Sequence, residues 1–333
     1  MKTIKFIDLF CGIGGFHYAI VGAAKKLGVK AQCVFASDID CDAREAYEAN
    51  FKLMPTGDIT EINEDQIPDH DILLAGFPCQ AFSIIGARRG FEDTRGTLFF
   101  DIARILKKKK PAGFVLENVK QLTGHDGGKT ISVIHDSLID LGYDVQFKVL
   151  NALDFGLPQK RERIFIVGWR KKLQFDWDFQ KKAMTPLEDL LEPNVDKSYF
   201  ASDHIRQRRL ERVQHKVVST TKATIWHENK SGNIGIYDYS CAMRAGASYN
   251  YLLVNGERRL TEREMIRLQG FPEQFKIVHK YSVMRRFAGN SLPIPVAHDV
   301  IYQLLKCNWD YRDDTSDSKA QKCRKNEAAV PVK

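Results

Sequence analysis

The stretch FIDLFCGIGGFHYA, residues 6–19, decides the fold of this chain. An apolar strand pattern runs into a turn that contains Gly12, Gly14 and Gly15, and a helix pattern follows. Glycine lets the backbone turn sharply and approach a ligand closely, because it carries no side chain that would clash. The next strand pattern closes on Asp38, where a carboxylate can accept hydrogen bonds from ribose hydroxyls. This order predicts a cofactor that contains adenosine.

The glycine spacing narrows the choice of cofactor. The pattern GxGG differs from the GxGxxG of dinucleotide-binding proteins, and no basic residue stands here to meet a pyrophosphate. A nucleoside without phosphates, such as S-adenosylmethionine, therefore fits better. Asp58, in GDIT, supplies a further carboxylate. Two simpler interpretations stay open: the glycines serve only helix–strand packing, and Asp58 belongs to a plain turn.

Outward from this stretch, strand and helix patterns alternate to about residue 170. The strand patterns are KFIDLF, QCVFASD, DILLAGF, GFVLENV and RIFIVGW, and the helix patterns are GGFHYAIVGAAKKLG, CDAREAYEANF, GTLFFDIARILKKKKP and KTISVIHDSLIDLG. This alternation predicts an α/β fold with a parallel or mixed sheet covered on both faces. After Trp169 the segments become shorter and mixed to about residue 257, which predicts a second, smaller domain.

Composition sets the class of protein and of partner. The chain is 44% hydrophobic and 28% charged, as in ordinary globular proteins, and it has no bilayer-spanning apolar run and no secretory signal pattern. We therefore expect a cytoplasmic protein without a membrane partner. Seven cysteines without metal-ligand spacing argue against a disulfide framework and a structural zinc. The net charge of +8 indicates an anionic partner, and the basic segment 204–216 is either a phosphate-contacting surface or a solvated helix face.

One thiol stands out in ILLAGFPCQAFS, residues 72–83. A buried strand pattern stops there, and Cys79 follows a proline that fixes the backbone. A lone cysteine after a strand is usually structural. However, Glu117 closes a later strand pattern, and Arg161 and Arg163 precede another. Nearby cations favour the thiolate, which is the nucleophilic form, so these four residues are candidates for catalysis.

Six motifs carry a resemblance to a known family. They are DLFCGIGG, GFPCQAFS, ENV, QKRERIFIVG, RRLTEREMIRLQGFP and GNSLPIPVA. In this order they resemble the motifs of the DNA cytosine-5 methyltransferases, and in particular of the small bacterial HhaI-type modification enzymes. The resemblance covers residues 4 to about 170 and 255–300. It implies a Rossmann-like S-adenosylmethionine-dependent methyltransferase fold, with a mixed, mostly parallel sheet and a smaller target-recognition domain.

The resemblance also implies how the chain is divided. The expected parts are a catalytic and cofactor-binding domain at 1–183, a target-recognition domain at 184–257, a hinge region at 258–288, a helix at 289–307 that returns to the first domain, and a disordered tail at 308–333.

The family's chemistry assigns roles to the four candidates. Carbon 5 of cytosine is too weak a nucleophile to attack a methyl sulfonium until the Cys79 thiolate has added to carbon 6. Glu117 is the expected general acid at nitrogen 3, with a pKa raised by burial. By analogy, Arg163 contacts the carbonyl oxygen of the base and Glu117, and Arg161 lies near the thiol and the target phosphate. The cytosine has to be flipped out of the duplex.

The resemblance places S-adenosylmethionine, and its product S-adenosyl-L-homocysteine, on twelve residues. They are Phe10, Gly12, Ile13, Gly14, Asp38, Ile39, Asp58, Ile59, Pro78, Leu98, Asn290 and Ser291. Phe10 and Ile39 are expected to sandwich the adenine, although relatives carry an aromatic residue in place of Ile39.

Residues expected to face DNA lie in two regions. They are Gln80, Ser83, Ile85, Arg88, Arg89, Arg209 and Arg244. The segment SIIGARRGFEDTRG, residues 83–96, resembles the family's mobile loop that closes over DNA. Ile85 replaces a small serine of the HhaI type, which indicates an apolar way of filling the gap left by the flipped base. Arg244 reads guanine, clamps a phosphate or is a plain surface residue, and the sequence does not choose among these.

Partners follow from this assignment. We expect a monomer acting on double-stranded DNA in a prokaryotic cytoplasm, associated with the nucleoid through DNA. A cognate restriction endonuclease is expected in the same system, without a stable complex. The alternatives are a tRNA cytosine-5 methyltransferase, a dinucleotide-dependent oxidoreductase and a DNA-binding regulator with an inactive site. The recognition sequence is not predicted.

Overall fold

The computed structural model describes residues 2–78, 98–213 and 222–309. Helices and strands alternate through the first half of the chain. The strands there are β1 (Thr3–Leu9), β2 (Lys30–Ser37), β3 (Ile72–Gly76), β4 (Gly113–Val119), β5 (Asp144–Asn151), β6 (Gln159–Lys160) and β7 (Glu162–Trp169), and the helices are α1 (Gly15–Lys26), α2 (Cys41–Phe51), α3 (Leu98–Lys109) and α4 (Lys129–Asp140). In none of the described ranges does a helix have the length and apolarity that crossing a bilayer requires.

Six of these described strands form one sheet, in the order β2-β1-β3-β4-β7-β5. The first four are parallel, and β7 runs antiparallel to both of its neighbours. This arrangement confirms the predicted mixed, mostly parallel sheet. No sequence pattern predicted β5. That edge strand exposes Phe147 and alternates apolar with polar residues, so it lacks the continuous apolar run of the central strands.

Apolar layers cover both faces of the sheet. One layer contains α1 and the last helix of the chain, α8 (Ile294–Asn308), while the other contains α3 and α4. Alanines at positions 19, 23 and 24 of α1 are fully buried, which allows close packing of the two helices of the first layer. α2 begins at a cap in which the carboxylate of Asp40 accepts from the backbone N–H groups of Asp42 and Ala43. The sheet is therefore buried on both sides, as the alternation predicts.

A smaller unit follows β7. It contains α5 (Asp203–Val213), β8 (Ile225–Glu228), β9 (Ile234–Tyr237), β10 (Ser240–Cys241) and β11 (Leu252–Val254). Among the described residues, three of these strands form an antiparallel sheet in the order β11-β8-β9. The fourth, β10, pairs in parallel with β6 and so joins the two units. α6 (Glu262–Arg267) and α7 (Tyr281–Asn290) then lead back to α8 on the large sheet.

Candidate active site

A cavity of about 670 Å³ opens at the carboxyl ends of the central strands. The chain leaves β1 toward β2 on one side and later adds β3 on the other, so the strand order reverses beside β1. Loops diverge at such a point and leave a crevice, which is where open α/β sheets bind their ligands. The cavity is lined by residues that follow β1, β2 and β3, by the end of β4, and by the last turn of α7 with the residues after it.

The glycine turn after β1 is held in place by a carboxylate from the next strand. Asp38 accepts from the backbone N–H of Gly12 at 2.7 Å and from that of Asp40 at 2.9 Å. Gly12 has a φ of +51°, and a side chain there would meet no described atom within 4 Å. The turn therefore presents open backbone to the cavity. Burial raises the pKa of Asp38, which the two N–H donors partly offset.

Eleven of the twelve residues predicted for the cofactor line this cavity. The exception is Gly14, which precedes α1 with a φ of +88° and faces Phe51, where an added Cβ would lie 2.1 Å from the ring. Gly14 thus serves helix packing, and its contact with the cofactor stays a prediction. Ile39 is 74% exposed at the cavity, an unusual position for a large apolar side chain.

A buried ion pair forms one wall of the cavity. Arg163 Nε lies 2.9 Å from Glu117 Oε1, and Glu117 is only 8% exposed. β4 and β7 are antiparallel neighbours, so the two residues come together across the sheet. Burial raises the pKa of Glu117, and the cations of Arg163 and Arg161 oppose that shift. Glu117 therefore holds a proton at higher pH than an exposed glutamate.

Asn118 is a functional candidate that the sequence analysis did not single out. Its Nδ2 donates to the carbonyl of Phe77 at 2.9 Å, and the side chain is buried. This bond fixes the chain just beyond β3, where Phe77 and Pro78 line the cavity and immediately precede Cys79 in the sequence. The ENV motif indicates such a contact, because an asparagine in a buried strand needs a hydrogen-bond partner.

A second contact missing from the sequence analysis joins the end of the chain to the cavity. Arg286 in α7 lies 2.6 Å from Asp40 and 2.8 Å from Asp42. Asp40 lines the cavity. No local pattern predicts this contact, because about 245 residues separate its partners.

Two predicted arginines are buried and bind backbone carbonyls. Arg161 is 1% exposed and binds backbone carbonyls, so it does not line the cavity, although it is close enough to Glu117 to influence its pKa. Arg209 is 2% exposed and bonds to the Trp226 carbonyl and the Glu228 carboxylate within the smaller unit. The prediction of a DNA contact for Arg209 is corrected, because its guanidinium is used in packing that unit.

Arg244 is the predicted DNA-facing residue that the structure does expose. Its guanidinium lies 4.9 Å from the ring centre of Tyr251, and the Tyr251 hydroxyl accepts from its backbone N–H at 2.8 Å. The side chain is thus oriented but accessible.

Several predictions lie outside the described residues. They concern Cys79, Gln80, Ser83, Ile85, Arg88, Arg89 and the tail beyond residue 309. Within the described ranges, three or more His, Cys, Asp or Glu side chains nowhere gather into a metal site.

Comparison with known protein families shows which family the chain belongs to. Residues 4–306 match the C-5 cytosine-specific DNA methylase family. The chain belongs to this family. It is 55% identical to the Type II methyltransferase M.NgoBI of Neisseria gonorrhoeae, over 92% of this chain and 98% of that protein. It is 53% identical to M.HaeII of Haemophilus aegyptius, over 92% and 94%, and 40% identical to M.HhaI of Haemophilus parahaemolyticus, over 91% and 95%. The predicted family is confirmed.

Solved structures show the same fold at greater distance. The Dnmt2 methyltransferase of S. pombe superimposes with a TM-score of 0.67 at 22% identity, covering 92% of this chain and 99% of that one. This likeness supports the methyltransferase fold.

Proposed function

We propose that this DNA cytosine-5 methyltransferase flips a cytosine out of a specific short duplex sequence and methylates its carbon 5, as the modification enzyme of a restriction–modification system. The observation that carries the proposal is the buried Glu117–Arg163 pair in the wall of a cavity large enough for a nucleoside. A buried carboxyl with a raised pKa is better suited to donate a proton than an exposed one.

S-adenosylmethionine fits the cavity as cofactor. Four acidic residues line the described cavity. Asp38 and Asp58 have no basic partner in the lining, whereas Asp40 is paired with Arg286 and Glu117 with Arg163, the one basic residue of the described lining. Such a wall suits a cation and would repel a pyrophosphate. When bound, S-adenosylmethionine supplies an electrophilic methyl group.

The polar and apolar groups of the cavity divide the binding of the cofactor between them. We expect Asp38 to bind the ribose, Phe10 and Ile39 to sandwich the adenine, and Asn290 and Ser291 to contact the methionine end.

The protein's own groups activate the base. The Cys79 thiolate adds to carbon 6, which makes carbon 5 nucleophilic, while Glu117 protonates nitrogen 3. Arg163 orients Glu117. As the family resemblance implies, it also contacts the carbonyl oxygen of the base. After methyl transfer, a base removes the carbon 5 proton, the thiolate leaves carbon 6 and Glu117 takes back the nitrogen 3 proton, which restores the aromatic ring and the free enzyme.

The protein acts on double-stranded DNA as a monomer, in the cytoplasm of a prokaryote and associated with its nucleoid. Residues 184–257 form its target-recognition domain, and the exposed Arg244 is one of its DNA contacts. A cognate endonuclease cleaves the same sequence when it is unmodified, without forming a stable complex with this enzyme.

The test is bisulfite sequencing of a plasmid of diverse sequence after incubation with the protein and S-adenosylmethionine. Protected cytosines are expected in one short recurring context. A parallel reaction with tritiated methyl donor contains equal amounts of tRNA and plasmid. No protected cytosine, or label that enters tRNA in preference to DNA, would contradict the proposal.

A further inference from the structure

Arg161 joins three segments that come from different parts of the chain. Its Nη1 donates to the carbonyl of Met243 at 3.2 Å, and its Nη2 donates to the carbonyls of Gly289 at 3.0 Å and Ser291 at 2.5 Å. Met243 lies in the smaller unit beside the exposed Arg244, while Gly289 and Ser291 line the cavity. One guanidinium therefore links the DNA-facing segment to the cofactor wall.

Neighbouring contacts show that the two segments touch along their backbones. A Cβ added to Gly289 would lie 2.4 Å from the backbone nitrogen of Ala245, so only glycine allows this approach. Gln159, which precedes Arg161 by two residues, accepts from the Met243 N–H at 3.4 Å and donates to the Leu268 carbonyl at 2.7 Å. The side chains of Gln159 and Arg161 thus hold the same segment by side-chain hydrogen bonds.

The chemistry of the contact suits arginine. The Gly289 and Ser291 carbonyls lie at the carboxyl end of α7, where carbonyls lack helical partners and carry partial negative charge. A guanidinium presents several donors in a fixed plane, and charged donors form stronger hydrogen bonds than neutral ones. Among the described residues, no acceptor meets the Nε of Arg161, so backbone carbonyls alone hold its guanidinium.

We propose that Arg161 is a positioning residue that couples DNA binding to cofactor binding. The inference rests on the proposed function. Contact of DNA with the segment around Arg244 fixes Met243, Arg161 transmits that position to Gly289 and Ser291, and the cofactor wall is thereby ordered. Coupling of this kind is reciprocal, so each ligand tightens the binding of the other by the same factor.

The test measures the affinity of S-adenosylhomocysteine by calorimetry, with and without a saturating duplex that carries the sequence found by bisulfite mapping. For the wild type we expect the duplex to tighten binding by about 5-fold or more, the lower end of typical coupling. In Arg161→Lys, which offers a compact charge instead of a planar fork, we expect this ratio to fall close to one.

Arg209→Lys is the matched control, because Arg209 is also buried and binds backbone carbonyls, but only inside the smaller unit. Its ratio is expected to match the wild type.

The possible results distinguish failure of the proposed function from failure of the coupling role of Arg161. Wild-type protein that fails to bind S-adenosylhomocysteine would overturn the proposed function. Binding with a ratio of one, or a ratio that Arg161→Lys leaves unchanged, would overturn the coupling role alone. If Arg161→Lys does not fold, Gly289→Ala decides, since its added methyl pushes apart the two segments that Arg161 joins while the arginine itself is retained. A wild-type ratio in that folded variant would contradict the proposal.

Discussion

At the scale of single residues, burial shifts the pKa values of two neighbouring charged groups in opposite directions. Burial raises the pKa of Glu117, which favours the neutral acid, and lowers the pKa of Arg161, where the like charge of Arg163 adds to the shift. Glu117 faces the cavity and can exchange a proton with a base. Arg161 faces backbone carbonyls and cannot. The orientation of the side chains therefore suits Glu117 to proton transfer and Arg161 to positioning.

Glu117→Gln tests the general acid. We expect methyl transfer to slow about a hundredfold or more, the usual scale for losing an acid catalyst. In the wild type, the rate falls as the pH rises through the pKa of Glu117, because only the protonated carboxyl donates. The variant loses this dependence. Single-turnover rates measured across pH check both expectations.

The matched control is Glu162→Gln, in the neighbouring strand. Glu162 pairs with Lys120 and does not line the cavity, so its removal is expected to leave the rate within about threefold of the wild type. Equal losses in both variants would show that Glu117 acts through stability and not as an acid.

Sequence identified the residues of this site more reliably than their surroundings. Glu117 and Arg163 were predictable together, because each stands at the boundary of a strong apolar run. The burial of Arg161 and Arg209 was not, because their carbonyl partners lie in segments that sequence patterns do not place in space. An arginine that binds backbone carbonyls and one that binds phosphate look alike in sequence.

At the scale of elements, α1 is bounded by two glycines with similar backbones and different surroundings. Gly14 at its start and Gly28 at its end have φ values of +88° and +73°. Only Gly14 faces a side chain, that of Phe51, whereas a Cβ at Gly28 would meet no described atom within 4 Å. Substitutions at the two glycines therefore distinguish two contributions to stability, the strain of the left-handed backbone and the steric clash with Phe51.

We expect Gly28→Ala to lower the free energy of unfolding by about 1–2 kcal/mol, for the left-handed conformation alone. Gly14→Ala is expected to cost a further 1–3 kcal/mol or so, because the added methyl displaces the Phe51 ring. Urea denaturation of both variants measures the difference. Equal losses would mean that Phe51 moves aside freely and that Gly14 is not a packing residue.

Elements differ in how far sequence predicts them. The central strands are buried on both faces and read as continuous apolar runs, so all of them were predicted. β5 lies at the sheet edge and α7 in the predicted hinge region, and both owe their form to the elements against which they pack. Tertiary contact, which local patterns do not contain, determines them.

At the scale of the whole molecule, a short strand pairing joins the large sheet to the smaller unit. β6 pairs with β10 over two residues, and Arg161 and Gln159 add side-chain contacts to the same place. The net charge of +8 favours association with DNA, and the exposed Arg244 lies beside the connection. DNA bound there is placed to influence both units.

Arg244→Ala is expected to weaken binding of the target duplex, which fluorescence anisotropy across a salt series measures. If Arg244 reads guanine, Arg244→Ala and Arg244→Lys both lose about 1–3 kcal/mol of discrimination at one base pair. A uniform loss with a salt slope reduced by about one, restored by Arg244→Lys, would identify a phosphate contact. Affinity and slope unchanged in both variants would exclude Arg244 from the interface.

The central claim is that Cys79 forms a covalent bond to the target cytosine, and one measurement tests it directly. A duplex with 5-fluorocytosine at the mapped position is incubated with the protein and S-adenosylmethionine, and the denatured product is digested for mass spectrometry. Fluorine cannot leave as the proton does, so the bond persists. We predict an adduct on the peptide that contains Cys79, and none with Cys79→Ser. Cys11 also lines the cavity, but burial raises the pKa of its thiol and disfavours the thiolate. An adduct on Cys11, or methylation by Cys79→Ser at the wild-type rate, would contradict the account.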